Sequence, residues 1–220
     1  MVNSQQVTDA IIKQGMLPLY FNADETVSID LLRTLYNAGI RAVEYTNRGE
    51  AALKNFEKMV GVKNAEMPDM LLGVGTIKNL KQVIEYMHVG ADFLVSPGLV
   101  KEVAYYAVQH DIFYAPGCMT PSEIIAAENA GIKFIKLFPG NMLGPSFLSG
   151  IKEIFPKLLF MPTGGVDTTK ENIQGWFKAG VCAVGMGSKL VSKEVMANKE
   201  YDKLIEETKK VIAIINDCKK

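Results

Sequence analysis

Four segments of the chain share one plan. NAGIRAVEYT, HVGADFLVSP, NAGIKFIKLF and KAGVCAVGMG each close a helix-like stretch with a glycine (Gly39, Gly90, Gly131, Gly180) and run directly into an apolar strand. Glycine in the left-handed conformation stops a helix, and an apolar run without alternation is a strand covered on both faces. Repeated junctions of this kind commit a chain to helices packed on a parallel sheet. Turn signals follow the strands at comparable places: SPG at 96, APG at 115, FPG at 138 and PTGG at 162. The helices carry start signals as well. In TPSEIIAAENAG, Thr120 and Glu123 form a capping box with Pro121 at the first helical position, and SIDLLRTLYNAG reads likewise, with Leu31, Leu32 and Leu35 on one face.

The predicted strands are 16–20, 42–46, 70–74, 92–96, 112–116, 134–138, 158–162 and 182–186. Eight strands alternating with helices in a chain of 220 residues predict the α/β class, as a single (β/α)8 TIM barrel domain spanning 1–220. A doubly wound open sheet is the alternative, but no G-x-G-x-x-G follows the first strand. The C-terminal stretch from Ser192 reads as one or two amphipathic helices covering the barrel, with Leu204, Val211, Ile212 and Ile215 inward.

Composition narrows the partners. With 24 basic and 24 acidic residues, scattered along the chain, there is no net field for a nucleic acid or an anionic membrane. No signal-peptide pattern or membrane-length apolar run occurs, so a cytoplasmic protein is expected. Cys118, Cys182 and Cys218 are odd in number and widely spaced, which suits reduced thiols. His88 and His110 have no ligand-type neighbour at metal spacing, and no metal site is expected.

One residue breaks the strand pattern. Lys136 lies within FIKLF, where an ammonium ion is unfavourable enough to lose its proton. Counting five residues from each junction glycine aligns Glu44, Val95, Lys136 and Gly185 on the second, fourth, sixth and eighth strands. Alternate strands supply one interior layer of such a barrel, so Lys136 and Glu44 are expected to meet near the axis beside space left by the valine and glycine. The bland readings are a structural ion pair or an outward-facing lysine. The chemical reading is a neutral amine that forms a Schiff base with a ketone, with Glu44 shuttling protons. Arg48, just beyond the second strand, is either a carboxylate clamp or a solvated loop residue. Thr76, after GVG, is either a donor to a carboxylate or a helix cap. Thr163, Gly164 and Gly165 in PTGGV, with Gly187 and Ser188 in GMGSKL, fall where this fold binds anions, phosphate or carboxylate; Ser188 otherwise caps its helix.

VEYTNRG, GVGTI, VSPG, IKLFPG, PTGG and GMGS, in that order and spacing, resemble the class I pyruvate-dependent aldolases acting on 2-keto-3-deoxy-6-phosphogluconate and 4-hydroxy-2-oxoglutarate. The resemblance implies Lys136 as the Schiff-base lysine and Glu44 as general acid/base. It also implies Arg48 and Thr76 as pyruvate carboxylate ligands, Pro97 and Phe138 as walls, and Gly164, Gly165 and Ser188 around the distal group. It implies a lyase with a keto-acid substrate, no metal or organic cofactor, and a homotrimer. Many relatives carry an arginine at the end of the first strand, where this chain has Tyr20, Phe21 and Asn22, so the preferred aldehyde is left open. A phosphate-binding barrel isomerase or epimerase, and a non-catalytic keto-acid binding module, are the competing readings.

Overall fold

The computed structural model describes residues 2–219. The strands are β1 (Met16–Tyr20), β2 (Ala42–Thr46), β3 (Leu71–Gly75), β4 (Leu94–Val95), β5 (Tyr114–Ala115), β6 (Gly117–Cys118), β7 (Phe134–Leu137), β8 (Leu159–Pro162) and β9 (Val184–Met186). All pairings are parallel, and helices intervene between successive strands except between β5 and β6. The result is an α/β fold with a curled parallel sheet. Its hydrogen-bonded order is β5-β4-β3-β2-β1-β9 in one portion and β6-β7-β8 in the other.

The four junction glycines all adopt positive φ, between 87° and 101°, so each helix is stopped as the pattern predicts. The strand boundaries differ from expectation in the middle of the chain. The fourth strand shrinks to two residues, and the fifth divides at Pro116, which has no N–H to give to a ladder. Before the proline, this segment bonds β4 (Ser96 N–H to Ala115 O, 3.2 Å); after it, the carbonyl of Pro116 accepts from Lys136 N in β7 (3.0 Å). β8 and β9 meet through Cys182 N–H to Phe160 O and a bridge between Thr163 and Gly185.

The helix expected from Ser28 begins earlier, at Glu25, because Asp24 is the better cap: its carboxylate accepts from Val27 N at 2.9 Å. The Thr120–Glu123 capping box forms as read. The C-terminal stretch makes two helices, Lys193–Asn198 and Tyr201–Cys218; Leu204, Val211 and Ile215 of the second are buried, with Ile212 partly so. Among the described residues no helix is long and apolar enough to cross a membrane.

Side chains alternate across each strand, and the parity sorts the core into two. One face packs against the helices. The other turns into the curl, where Leu17, Ala42, Phe93, Phe113, Phe134 and Met161 form a separate apolar cluster. Phe113 packs edge-on against Phe93 and Phe134, with ring centroids 5.9 and 4.9 Å away, and Gly73 leaves the space that the Phe93 ring fills. Lys136 is two residues beyond Phe134, and Glu44 two beyond Ala42. The same parity therefore carries both polar side chains inward, one level closer to the carboxyl ends of the strands.

Candidate active site

Above the aromatic floor lies a cavity of about 350 Å3. It is bordered at the carboxyl ends of the strands by Arg48 after β2, Thr76 after β3, Pro97 after β4 and Lys136 with Phe138 on and after β7. Thr163, Gly164 and Gly165 after β8, and Gly187 and Ser188 after β9, complete the expected set. Glu44 lies deeper and does not border the cavity, but it reaches Lys136: Nζ and Oε1 are 3.6 Å apart, an ion-pair contact longer than a hydrogen bond. Both are almost wholly shielded from solvent, with the lysine 4% and the glutamate 0% exposed.

The electrostatics of this pair are incomplete. Burial holds the Lys136 amine below the ordinary lysine pKa, opposed by the attraction of Glu44 and assisted by the positive charge of Arg48. Neither carboxylate oxygen of Glu44 has a hydrogen-bond partner among the described residues, and the buried hydroxyl of Thr163 is likewise unpartnered. Buried polar atoms in folded proteins are nearly always satisfied. Three of the five such atoms among the described residues, the two Glu44 oxygens and the Thr163 hydroxyl, belong to this site; the other two, Tyr201 OH and Thr208 Oγ1, do not border the cavity.

The room for Glu44 comes from Gly75, and the space that the repeat predicts at Gly185, beside the pair, is not left open. A side chain at Gly75 would overlap the Glu44 carboxylate, whereas the space at Gly185 is taken by Thr163. Val95 falls in the interior apolar cluster. The expected layer thus delivers the Lys136–Glu44 meeting, but the clearance for it is supplied by β3, the neighbour of β2.

The caps remove one of the two readings that the sequence leaves for Thr76 and for Ser188. Asn79, not Thr76, caps the helix Leu80–His88, and Ser192, not Ser188, caps Lys193–Asn198. Thr76 instead holds a φ of 64°, a conformation that β-branched residues avoid. Gly165 has a φ of 71°, and the N–H groups of Gly165 and Ser188 donate to no acceptor among the described residues. Phe138 stands over the amine, its ring centre 5.3 Å from Lys136 Nζ.

Sequence reasoning missed several cavity residues. Phe21, Thr46, Lys189, Lys193 and Met196 also border it. Lys193 and Met196 correct the expectation that the C-terminal stretch only covers the barrel; no local pattern signals that the first of its helices curls back over the opening. Phe21 is held in place through its neighbour Asn22. The carbonyl of Asn22 lies within hydrogen-bond reach of Tyr45 OH (2.7 Å), Ser28 Oγ (3.0 Å) and Asn55 Nδ2 (3.2 Å). Elsewhere, burial pushes the Cys118 and Cys182 thiols up to about 12, which leaves them poor nucleophiles. No group of three or more metal-ligating His, Cys, Asp or Glu side chains occurs among the described residues.

Fold and cavity together define a class: parallel α/β proteins with a buried lysine–carboxylate pair near the carboxyl ends of their strands. Comparison with known proteins is more specific. The family model described as KDPG and KHG aldolase matches residues 7–207, and the chain belongs to that family. The 2-dehydro-3-deoxy-phosphogluconate aldolase of Dickeya dadantii is 30% identical over 187 residues, covering 84% of this chain and 85% of the relative. The KHG/KDPG aldolase of Escherichia coli is 28% identical over 206 residues, 93% of this chain and 94% of the relative. Among solved structures, the KDPG aldolase of Legionella pneumophila, with pyruvate captured at low pH as a covalent carbinolamine intermediate, superposes with a TM-score of 0.84. It is 28% identical, over 92% of this chain and 96% of the other.

Proposed function

We propose that this protein is a class I pyruvate aldolase that cleaves 4-hydroxy-2-keto acids through a Schiff base on Lys136. The observation that carries the reading is the Lys136–Glu44 pair: a desolvated amine 3.6 Å from a carboxylate whose oxygens are otherwise unpartnered. In the forward direction the Lys136 amine adds to the C2 ketone, and the carbinolamine loses water to give a protonated imine. Glu44 takes the proton of the C4 hydroxyl as the C3–C4 bond breaks, releasing the aldehyde and leaving an enamine. Protonation at C3 and hydrolysis of the imine then free pyruvate and restore the amine. Arg48 and Thr76 hold the pyruvyl carboxylate, Pro97 and Phe138 wall the three-carbon unit, and Thr163, Gly164, Gly165, Gly187 and Ser188 face the distal part of the substrate. Neither a metal nor an organic cofactor takes part in this sequence.

The same reading includes a closed (β/α)8 barrel forming one domain. It is supported by the continuity of β5 and β6 through Pro116 and by the contacts between β8 and β9. A homotrimer is supported by exposed apolar side chains on three successive helices, Ile84, Tyr105, Val108 and Ile125. Three free cysteines support a cytoplasmic location.

The test is borohydride reduction in the presence of pyruvate, followed by intact mass and peptide mapping. The expected result is one reduced pyruvyl adduct, on Lys136, absent from K136M. Because the neutral amine is the nucleophile and burial lowers its pKa, adduct formation should climb with pH below the range in which an ordinary lysine deprotonates. Folded protein left unmodified by this treatment would refute the reading, and would favour an isomerase or a binding module.

A further inference from the structure

The cations around the cavity fall into two sets. Arg48 and Lys136 are at the pyruvyl end in the proposed function, and the other two, Lys189 and Lys193, lie on the segment after β9. Lys189 is paired: its Nζ is 3.5 Å from Asp167 Oδ2, which lies just beyond Gly165 on the loop after β8. This ion pair crosses between the two glycine-containing loops that face the distal part of the substrate. It is half open, with the lysine side chain 57% and the aspartate 35% exposed. The aspartate is fixed from behind, since its Oδ1 accepts from Thr169 N at 3.1 Å and its own N–H donates to Asn172 Oδ1 at 3.0 Å. The lysine has no other hydrogen bond or ion-pair partner among the described residues and is free to turn.

From this arrangement we infer that Lys189 sets the preference for an anionic distal group, by exchanging Asp167 for the terminal phosphate or carboxylate of the substrate. The inference rests on the aldolase reading above. An anion placed against the free N–H groups of Gly165 and Ser188 sits between the two loops, next to a carboxylate that repels it. Only a cation that can leave the aspartate and meet the substrate makes the position hospitable, and an ammonium on a flexible stem does this with little geometric constraint. Asp167 therefore acts in the opposite sense. It holds Lys189 over the gap when the site is empty, and it penalises an anion that Lys189 fails to neutralise. A neutral distal group gains nothing from the exchange.

The two residues make opposite predictions. The quantity to measure is the ratio of kcat/KM for a 4-hydroxy-2-keto acid ending in a phosphate monoester to that for the same chain ending in a hydroxyl. In K189M this ratio should fall about tenfold or more, chiefly through KM for the phosphorylated substrate, and K189R should retain it. In D167N, which keeps the Oδ1 acceptor for Thr169, the ratio should stand at or above that of the unaltered protein. A merely structural role for the ion pair would move both variants the same way. An unchanged ratio in K189M, or a fall in D167N as large as that in K189M, would overturn the inference. Trapping of pyruvate on the unaltered protein separates the cases: an adduct with an unchanged ratio sinks only the role of Lys189, whereas no adduct removes the aldolase reading beneath it.

Discussion

Among the described residues two lysines are buried, each facing a carboxylate, and they are built to different ends. Lys63, on the helix Ala52–Glu66, places Nζ 2.8 Å from Asp92 Oδ2, and the same oxygen accepts the Leu72 backbone N–H at 2.8 Å. That pair is closed. It ties a helix to the start of β3 and to the turn before β4; a cavity also borders Asp92, but the Oδ2 atom already accepts twice. Lys136 and Glu44 stand 3.6 Å apart, with both glutamate oxygens unpartnered and a cavity against the lysine. Burial of an ion pair therefore does not separate structure from chemistry; satisfaction does. A short, capped pair uses its polarity to hold the fold, whereas a stretched, uncapped pair keeps it available for a substrate.

The comparison breaks most sharply at the acid of the open pair. Glu44→Gln preserves shape but removes the proton acceptor, so kcat for cleavage should drop by about 10^2 to 10^4, read as pyruvate release from a 4-hydroxy-2-keto acid. An unimpaired E44Q would mean that the stretched pair is no more chemical than the closed one. A smaller effect is expected from Gly75→Ala, which puts a methyl group into the space of the Glu44 carboxylate. Displacing the acid without deleting it should lower kcat by roughly 10^2, with the fold retained by circular dichroism. The closed pair should respond in stability instead of rate. Asp92→Ala leaves the Lys63 ammonium and the Leu72 N–H without their acceptor, and should cost about 2 kcal/mol in denaturant unfolding while kcat/KM stays within about twofold. Loss of activity in D92A without loss of stability would erase the distinction.

Much of this was legible in the sequence. The junction glycines set the register that put Lys136 and Glu44 on one face, because a strand has a period of two and the residue count from a left-handed glycine is rigid. What escaped the sequence arose from tertiary contact. Nothing local says that Gly75 clears room for Glu44, or that Thr163 fills the space expected at Gly185, since each contact joins residues remote from one another along the chain. The division of the fifth strand at Pro116 was hidden because a missing N–H matters only once it is known which neighbour that N–H would have faced. Lys193 and Met196 sat in a stretch whose amphipathic pattern describes packing, and the pattern cannot show where a short helix points. Asp92, the acid of the closed pair, carries no motif at all; it was visible only as the residue before an apolar run.

The rim of the cavity is fastened unevenly. Around Phe21 the Asn22 carbonyl is moored by donors from two helices and a strand, so that flank has little freedom to yield. The segment carrying Lys189 and Lys193 is anchored by the buried Leu190, Val191 and Val195 and meets the first flank where Asn22 Nδ2 lies 3.7 Å from Met196 Sδ, but Ser188, Lys189, Lys193 and Glu194 are exposed. Variation that broadens the choice of aldehyde is then readily absorbed at those exposed positions and poorly tolerated on the moored flank: a library confined to 188, 189, 193 and 194 should yield altered acceptors with the fold intact, while one confined to 20–24 should chiefly yield inclusion bodies.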